Sequence, residues 1–145
     1  MIMNTEKSSK RLEGKKVLIT GGTTGIGRAI SILLAEAGCK VFICGRDPTH
    51  LADALVDINS TGGSASGMTL DLSKTEATAK LFEAADERLG PVDIVILNGG
   101  LAISGRLTDA TPEECREVVA TNLLAYILGA REATKRMDGR GGTIV

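Results

Sequence analysis

A doubly wound parallel α/β sheet is the fold class this sequence predicts, and three observations predict it. Strand-like and helix-like segments alternate four times along the chain. The strand-like segments are unbroken apolar runs, as in a sheet covered on both faces. A glycine-rich turn joins the first strand to the first helix. Right-handed crossovers between parallel strands then give the doubly wound topology.

The elements follow in order. Residues 1–13 read as a polar tail and 14–145 as the folded domain. Lys7, Lys10, Arg11, Lys15 and Lys16 are interrupted by Glu6 and Glu13, which suits a solvated segment. "KVLIT" (Lys16 to Thr20) is the first strand. Ile26, Ile30, Leu33, Leu34 and Ala37 recur at helical spacing after it. "KVFIC" (Lys40 to Cys44) is the second strand, and Asp47-Pro48 supplies an N-cap and first helical residue. Leu51, Leu55 and Ile58 mark the helix that follows.

"STGGSASG" reads as a loop and "MTLDL" (Met68 to Leu72) as the third strand. Ser73 is expected to cap a helix whose inner stripe is Ala77, Leu81, Phe82 and Ala85. "VDIVIL" (Val92 to Leu97) is the fourth strand. Thr111-Pro112-Glu113-Glu114 opens a long helix to about Met137, nearly all apolar from Val118 to Ala130. "TIV" at the end of the sequence reads as the start of a fifth strand.

Composition narrows the function. The 145 residues give room for about one domain. At 43% hydrophobic but 2% aromatic residues, the core must be aliphatic. Seventeen basic against eighteen acidic residues leave a net charge of -1, with no electrostatic case for nucleic acid or an anionic membrane. Cys39, Cys44 and Cys115 lack CxxC pairing and predict reduced, buried thiols in the cytoplasm. The single histidine, His50, offers no metal-ligand set. The N-terminus lacks an apolar signal-peptide core, and no apolar run approaches the roughly 20 residues of a membrane span.

"TGGTTGIG" (Thr20 to Gly27) carries the functional reading. Glycine allows positive φ and lets the backbone approach a pyrophosphate with no Cβ between them. The helix behind it offers free N–H groups and a positive dipole end. Gly21, Gly22, Thr23, Thr24, Gly25, Ile26 and Gly27 are therefore the expected phosphate-binding residues, with the two threonine hydroxyls as extra donors. The absence of GK[ST] excludes a P-loop.

The loop resembles the TGxxxGIG signature of the short-chain dehydrogenase/reductase family without a mismatch, and "LEGKKVLITGG" is similar to the family's opening. The resemblance runs from about Leu12 to Val145 and implies a Rossmann fold, a nicotinamide cofactor and hydride transfer to or from a carbonyl or secondary alcohol. A 3-oxoacyl thioester is the default substrate class it carries, and the full-length form is expected to be a homo-oligomer.

In dinucleotide folds an acid closing the second strand accepts from the NAD ribose and repels a 2′-phosphate. Gly45 holds that place and Arg46 follows, so NADP(H) is favoured over NAD(H). Asp47, the competing acid, is assigned to helix capping. By resemblance Asp71 holds the adenine amino group and the Leu72 backbone supports the ring. "ILNGGL" matches the family's NNAG at Asn98 and Gly100 and departs from it at Leu97 and Gly99. Asn98 is implied to meet the adenosine ribose. The missing asparagine leaves strand support at Leu97 without its usual side chain.

"ATNLLAY" places Asn122 where the family's asparagine holds a proton-relay water. The alternative for Asn122 is an amide tied to a nearby carbonyl. The family also uses a Ser and a YxxxK pair, which matches proton transfer near neutral pH by a group of pKa about 10. The one tyrosine, Tyr126, is followed four residues on by Ala130 and reads as a core residue. The chain is expected to be the first half or so of a longer reductase, interrupted at the fifth strand and inactive alone. A non-catalytic nucleotide-binding or redox-sensing module is the alternative.

Overall fold

The computed structural model describes residues 11–145. Five parallel strands lie in the order β3-β2-β1-β4-β5. They are β1 (Lys16–Thr20), β2 (Lys40–Gly45), β3 (Ser64–Thr69), β4 (Ile94–Leu97) and β5 (Thr143–Ile144). The helices are α1 (Gly25–Glu36), α2 (Pro48–Ser60), α3 (Ala77–Leu89), α4 (Pro112–Val119) and α5 (Ala125–Met137). Of the expected tail, residues 1–10 lie outside the described residues, and Leu12 packs against the core.

Strand β1 shows why the sheet needs helices on both sides. Leu18 points into a cluster with Leu81, Phe82 and Ala85 of α3 and Ala133 of α5. Its neighbours Val17 and Ile19 point the other way, into a cluster with Ala35 of α1 and Ala54 and Ile58 of α2. Alternate side chains thus enter two cores, which is why the strands read as continuous apolar runs. The register places Thr20 level with Cys44 on one side and Leu97 on the other. Strand order reverses across β1 and β4, so the crevice beyond their carboxyl ends is the switch point where ligands bind in open α/β sheets.

Several expectations need correction. The third strand spans Ser64–Thr69: it begins inside the stretch read as a loop, keeps Met68 and Thr69 of the expected strand, and leaves Leu70 to Leu72 beyond its end. It is an edge strand of small residues, so it shows no apolar run. A Cβ on Gly67 would stand 2.5 Å from the Ile43 carbonyl oxygen, which explains the small side chain. Helix α3 starts at Ala77 rather than after Ser73; Asp71 forms the local turn instead, accepting from the Ser73 N–H at 3.0 Å. On α1 the buried face is Gly27, Ser31 and Ala35, while Ile26 is 75% and Leu33 65% exposed. Small residues let that helix lie close on the sheet; Ile30 and Leu34 flank the contact and pack on the core as expected, while Ile26 and Leu33 do not.

The long helix is interrupted. A π-turn, Ala120–Leu124, separates α4 from α5 and contains Asn122. Its flank leaves Leu123 and Ile127 each 56% exposed, and Tyr126 between them is half-buried rather than core. Cys39 and Cys44 are buried as expected, but Cys115 is exposed. Burial pushes the Cys44 thiol up to about 11, so it stays protonated at neutral pH.

The helix starts are specified by their caps. Thr111 and Glu114 form a capping box at α4. Asp47 Oδ1 accepts from the Thr49 N–H at 2.8 Å and the His50 N–H at 2.9 Å. The His50 and Thr49 N–H groups hold the Asp47 carboxyl below the usual carboxylate range. Its capping contribution is therefore full above the unfolded carboxylate pKa and lost as pH falls through the folded value. Asp47→Ala should lower Tm by roughly 3 °C at pH 7. The gap between variant and parent should close below about pH 4, which thermal melts across pH would check.

Candidate functional site

The turn from Thr20 to Gly27 is shaped by contacts that leave no room for side chains. Gly21 has φ +64° and Gly25 φ +52°, both in the left-handed region. A Cβ on Gly27 would run into the Gly21 carbonyl oxygen and lie 2.5 Å from Asn98 Nδ2. A Cβ on Gly22 would meet Ile43 Cγ2 at 2.6 Å, because the Gly22 N–H bonds to the Cys44 carbonyl at 3.1 Å. The backbone therefore folds down onto β2 and against the end of β4.

Thr20 fastens that arrangement. Its hydroxyl oxygen accepts from the N–H groups of Asn98 and Gly99, both at 2.9 Å, and the hydroxyl lies 3.5 Å from the Ile96 carbonyl. Asn98 returns the contact, its Nδ2 donating to the carbonyls of Thr20 at 3.1 Å and Gly21 at 3.2 Å. The side-chain tie between β1 and β4 comes from Thr20, so Leu97 is free to pack on Gly129. A Cβ on Gly99 would stand 2.8 Å from Leu72 Cδ1, so Leu72 packs where a side chain would otherwise lie.

A cavity of about 570 Å³ opens over this turn, within the range of small-molecule sites. Gly21, Thr23, Thr24, Arg46, Leu72 and Gly100 line it. Of the other expected residues, Gly22 and Gly27 are buried in the turn, Ile26 is exposed on α1, Gly25 opens to free space, and Asp71 and Asn98 stand outside the lining. Gly45, Leu70, His50 and Thr121 also line the cavity and were missing from the expected set. Thr121 shares a tripeptide with Asn122, the one local signal that could have found it.

Helix α1 meets the cavity with its donors unspent. Its N-cap, Thr24, makes no side-chain cap bond, whereas Asp47 and Thr111 both cap their helices. The first-turn N–H groups of a twelve-residue helix thus have no side-chain acceptor, and the N-cap residue Thr24 lines the cavity. That is the chemistry of an anion site. With the bare backbone of the turn, it fits a diphosphate.

At the far end, β2 closes on Gly45. A Cβ there would run into the Thr23 hydroxyl, and Thr23 is buried. An acid at residue 45 is sterically blocked while Thr23 keeps its place. Arg46 stands beside it, 59% exposed, with Nη1 2.9 Å from Glu117 Oε1. Partial burial pushes Asp71 up, but Ser73 and the charges of Lys74 and Arg46 outweigh it and hold the carboxyl below its usual value.

Asn122 sits outside the cavity lining. Its Nδ2 donates to the Leu101 carbonyl at 2.7 Å and its Oδ1 accepts from the Leu101 N–H at 2.9 Å. This two-way clamp is the amide-to-carbonyl tie weighed as the alternative, and it fixes the segment after β4. The π-turn aims the side chain at that segment, as such insertions often do at working sites.

Fold and site together define a dinucleotide-type crevice on a doubly wound parallel sheet. Residues 15–145 match the sequence pattern of the short chain dehydrogenase family. The chain belongs to that family. It is 38% identical over 139 residues to elsinochrome reductase 1 of Elsinoe fawcettii, covering 95% of this chain and 52% of that protein. It is 38% identical over 131 residues to an NADP-dependent (R)-specific alcohol dehydrogenase of Lentilactobacillus kefiri, covering 90% and 52%. A metagenomic short-chain oxidoreductase solved in complex with NADP superposes with a TM-score of 0.84 at 30% identity, covering 92% of this chain and 61% of that one. The chain spans about half the length of the curated relatives it matches. Among the described residues no helix is long and apolar enough to cross a membrane.

Proposed function

We propose that this chain is the nucleotide-binding part of an NADP(H)-dependent oxidoreductase acting on a carbonyl or secondary alcohol. The observation that carries it is the uncapped start of α1 behind a bare-backbone turn, with Arg46 at the other end of the same cavity. The turn and the α1 amides take the diphosphate, with Thr23 and Thr24 beside it. Asp71 and Leu72 receive the adenine, and Asn98, whose Oδ1 is left to accept, meets the ribose. Arg46 pairs with the 2′-phosphate.

Asp47 also borders the cavity, but its Oδ1 is directed at the Thr49 and His50 amides of α2. Gly100 keeps the backbone low near Asn122, a Cβ there standing 3.4 Å from Asn122 Oδ1. Asn122 positions the Leu101 segment beneath the substrate. The nicotinamide, when bound, supplies or accepts the hydride. A 3-oxoacyl thioester remains the default substrate; a relative named tetrahydroxynaphthalene reductase speaks for a polyhydroxylated aromatic as well. The cytoplasm is the proposed location and a homo-oligomer the proposed full-length state. The exposed apolar side chains of Leu123 and Ile127 support the second point.

A non-catalytic binding module is the second reading. A Ser and a YxxxK pair encoded beyond Val145 would select the enzyme over the module. For either reading, titration of the chain against NADPH fluorescence should give saturable binding, tighter than for NADH by about tenfold or more. No binding of either coenzyme would refute both readings.

A further inference from the structure

We propose that Glu117 tunes the coenzyme preference of the cleft by holding Arg46 in competition with the 2′-phosphate. This rests on the assignment of Arg46 made above. Arg46 lies in the turn after β2 and Glu117 on α4, 71 positions apart, yet their side chains meet at 2.9 Å. Glu117 borders two shallow depressions beside the cleft. One is lined by Arg46, Leu101 and Ser104, the other by Asp71, Lys74 and Arg116.

The carboxylate thus occupies the guanidinium that a 2′-phosphate needs. Arginine presents the same planar fork to either anion. The pair is 59% and 44% exposed, so neither group is desolvated and the contact is weak and exchangeable. A phosphate with nearly two negative charges competes well against one carboxylate. Displaced, Glu117 still borders the depression that Lys74 and Arg116 line, though Arg116 already pairs with Glu113 at 2.7 Å. NAD(H) has no 2′-phosphate and leaves the Arg46–Glu117 pair closed. Glu117 therefore penalises the phosphorylated coenzyme alone.

The test compares NADPH and NADH dissociation constants for the parent chain and Glu117→Gln. Because Gln is isosteric with Glu and the Glu117 side chain is 44% exposed, the substitution leaves the fold alone. NADPH should bind roughly two- to fivefold more tightly at low salt. The gain should vanish above about 0.5 M salt, and NADH should not change. In an Arg46→Gln background the same substitution should yield no gain. An equal gain for both coenzymes, or NADPH binding unchanged while the parent still prefers NADPH, would overturn the proposal alone. A parent chain that prefers NADH would overturn the assignment of Arg46, and this proposal with it.

Discussion

Gly27→Ala should cripple coenzyme binding. The new methyl group would be driven into the Gly21 carbonyl and against Asn98 Nδ2 at 2.5 Å. Both neighbours are fixed: Gly21 by its place in the turn, Asn98 by its bonds to the Thr20 and Gly21 carbonyls. To admit the methyl, the turn must lift off the end of β4, which breaks those bonds and misdirects the α1 amides. Overpacking of this kind costs about 1–3 kcal/mol, and a backbone obstacle puts it at the upper end. NADPH affinity should fall at least about a hundredfold, the equivalent of roughly 2.7 kcal/mol. Gly62→Ala is the matched control, since Gly62 has φ +85° with nothing within 4 Å of its would-be Cβ. It should cost about 1 kcal/mol of stability and leave binding intact. Gly27→Ala binding NADPH within threefold of the parent would refute the account of the turn.

Arg46→Asp should reverse the coenzyme preference. The substitution removes the guanidinium and puts a like charge where the 2′-phosphate would lie. It also leaves Glu117 without its cation, so the repulsion comes from two carboxylates. NADPH affinity should drop by about a hundredfold, while NADH should bind as well or better. Stability should change by less than about 1 kcal/mol, because the Arg46–Glu117 pair is exposed. Parallel titrations with both coenzymes decide it, and an unchanged ratio would refute the role given to Arg46. On this proposal the position matters because Thr23 blocks an acid at Gly45 and leaves discrimination to the next residue.

Much of the fold was legible because it is written in local patterns. Strand β1 occupies the residues that its apolar run marks, and Asp47-Pro48 starts α2 as its chemistry requires. The glycine turn was legible for the same reason, being one contiguous octapeptide. What escaped was set by contacts distant in sequence. Strand β3 is small and polar because it lies at the sheet edge and approaches Ile43 closely, and neither fact shows in "SASGMT". The face of α1 shows only in part: Ile30 and Leu34 do pack on the core, but a helix pressed close to a sheet centres its contact on glycine, serine and alanine and leaves Ile26 and Leu33 outside.

The site divides along the same line. Gly21, Thr23, Thr24, Arg46, Leu72 and Gly100 were found by motif and do line the cavity. Thr20 stood at the head of the quoted octapeptide, yet its partners Asn98 and Gly99 lie 78 and 79 positions away. Glu117 and Thr121 sit on a helix whose sequence says nothing of what it faces. The π-turn at Asn122 is equally silent, since no Pro or Gly marks it.

The three-way bonding of the Thr20 hydroxyl has a mechanical consequence. One oxygen atom rivets the middle of the sheet at the point where the two halves of the nucleotide crevice meet. The floor of the crevice is therefore braced at that point, and the Asn122 clamp on Leu101 braces the rim beside it.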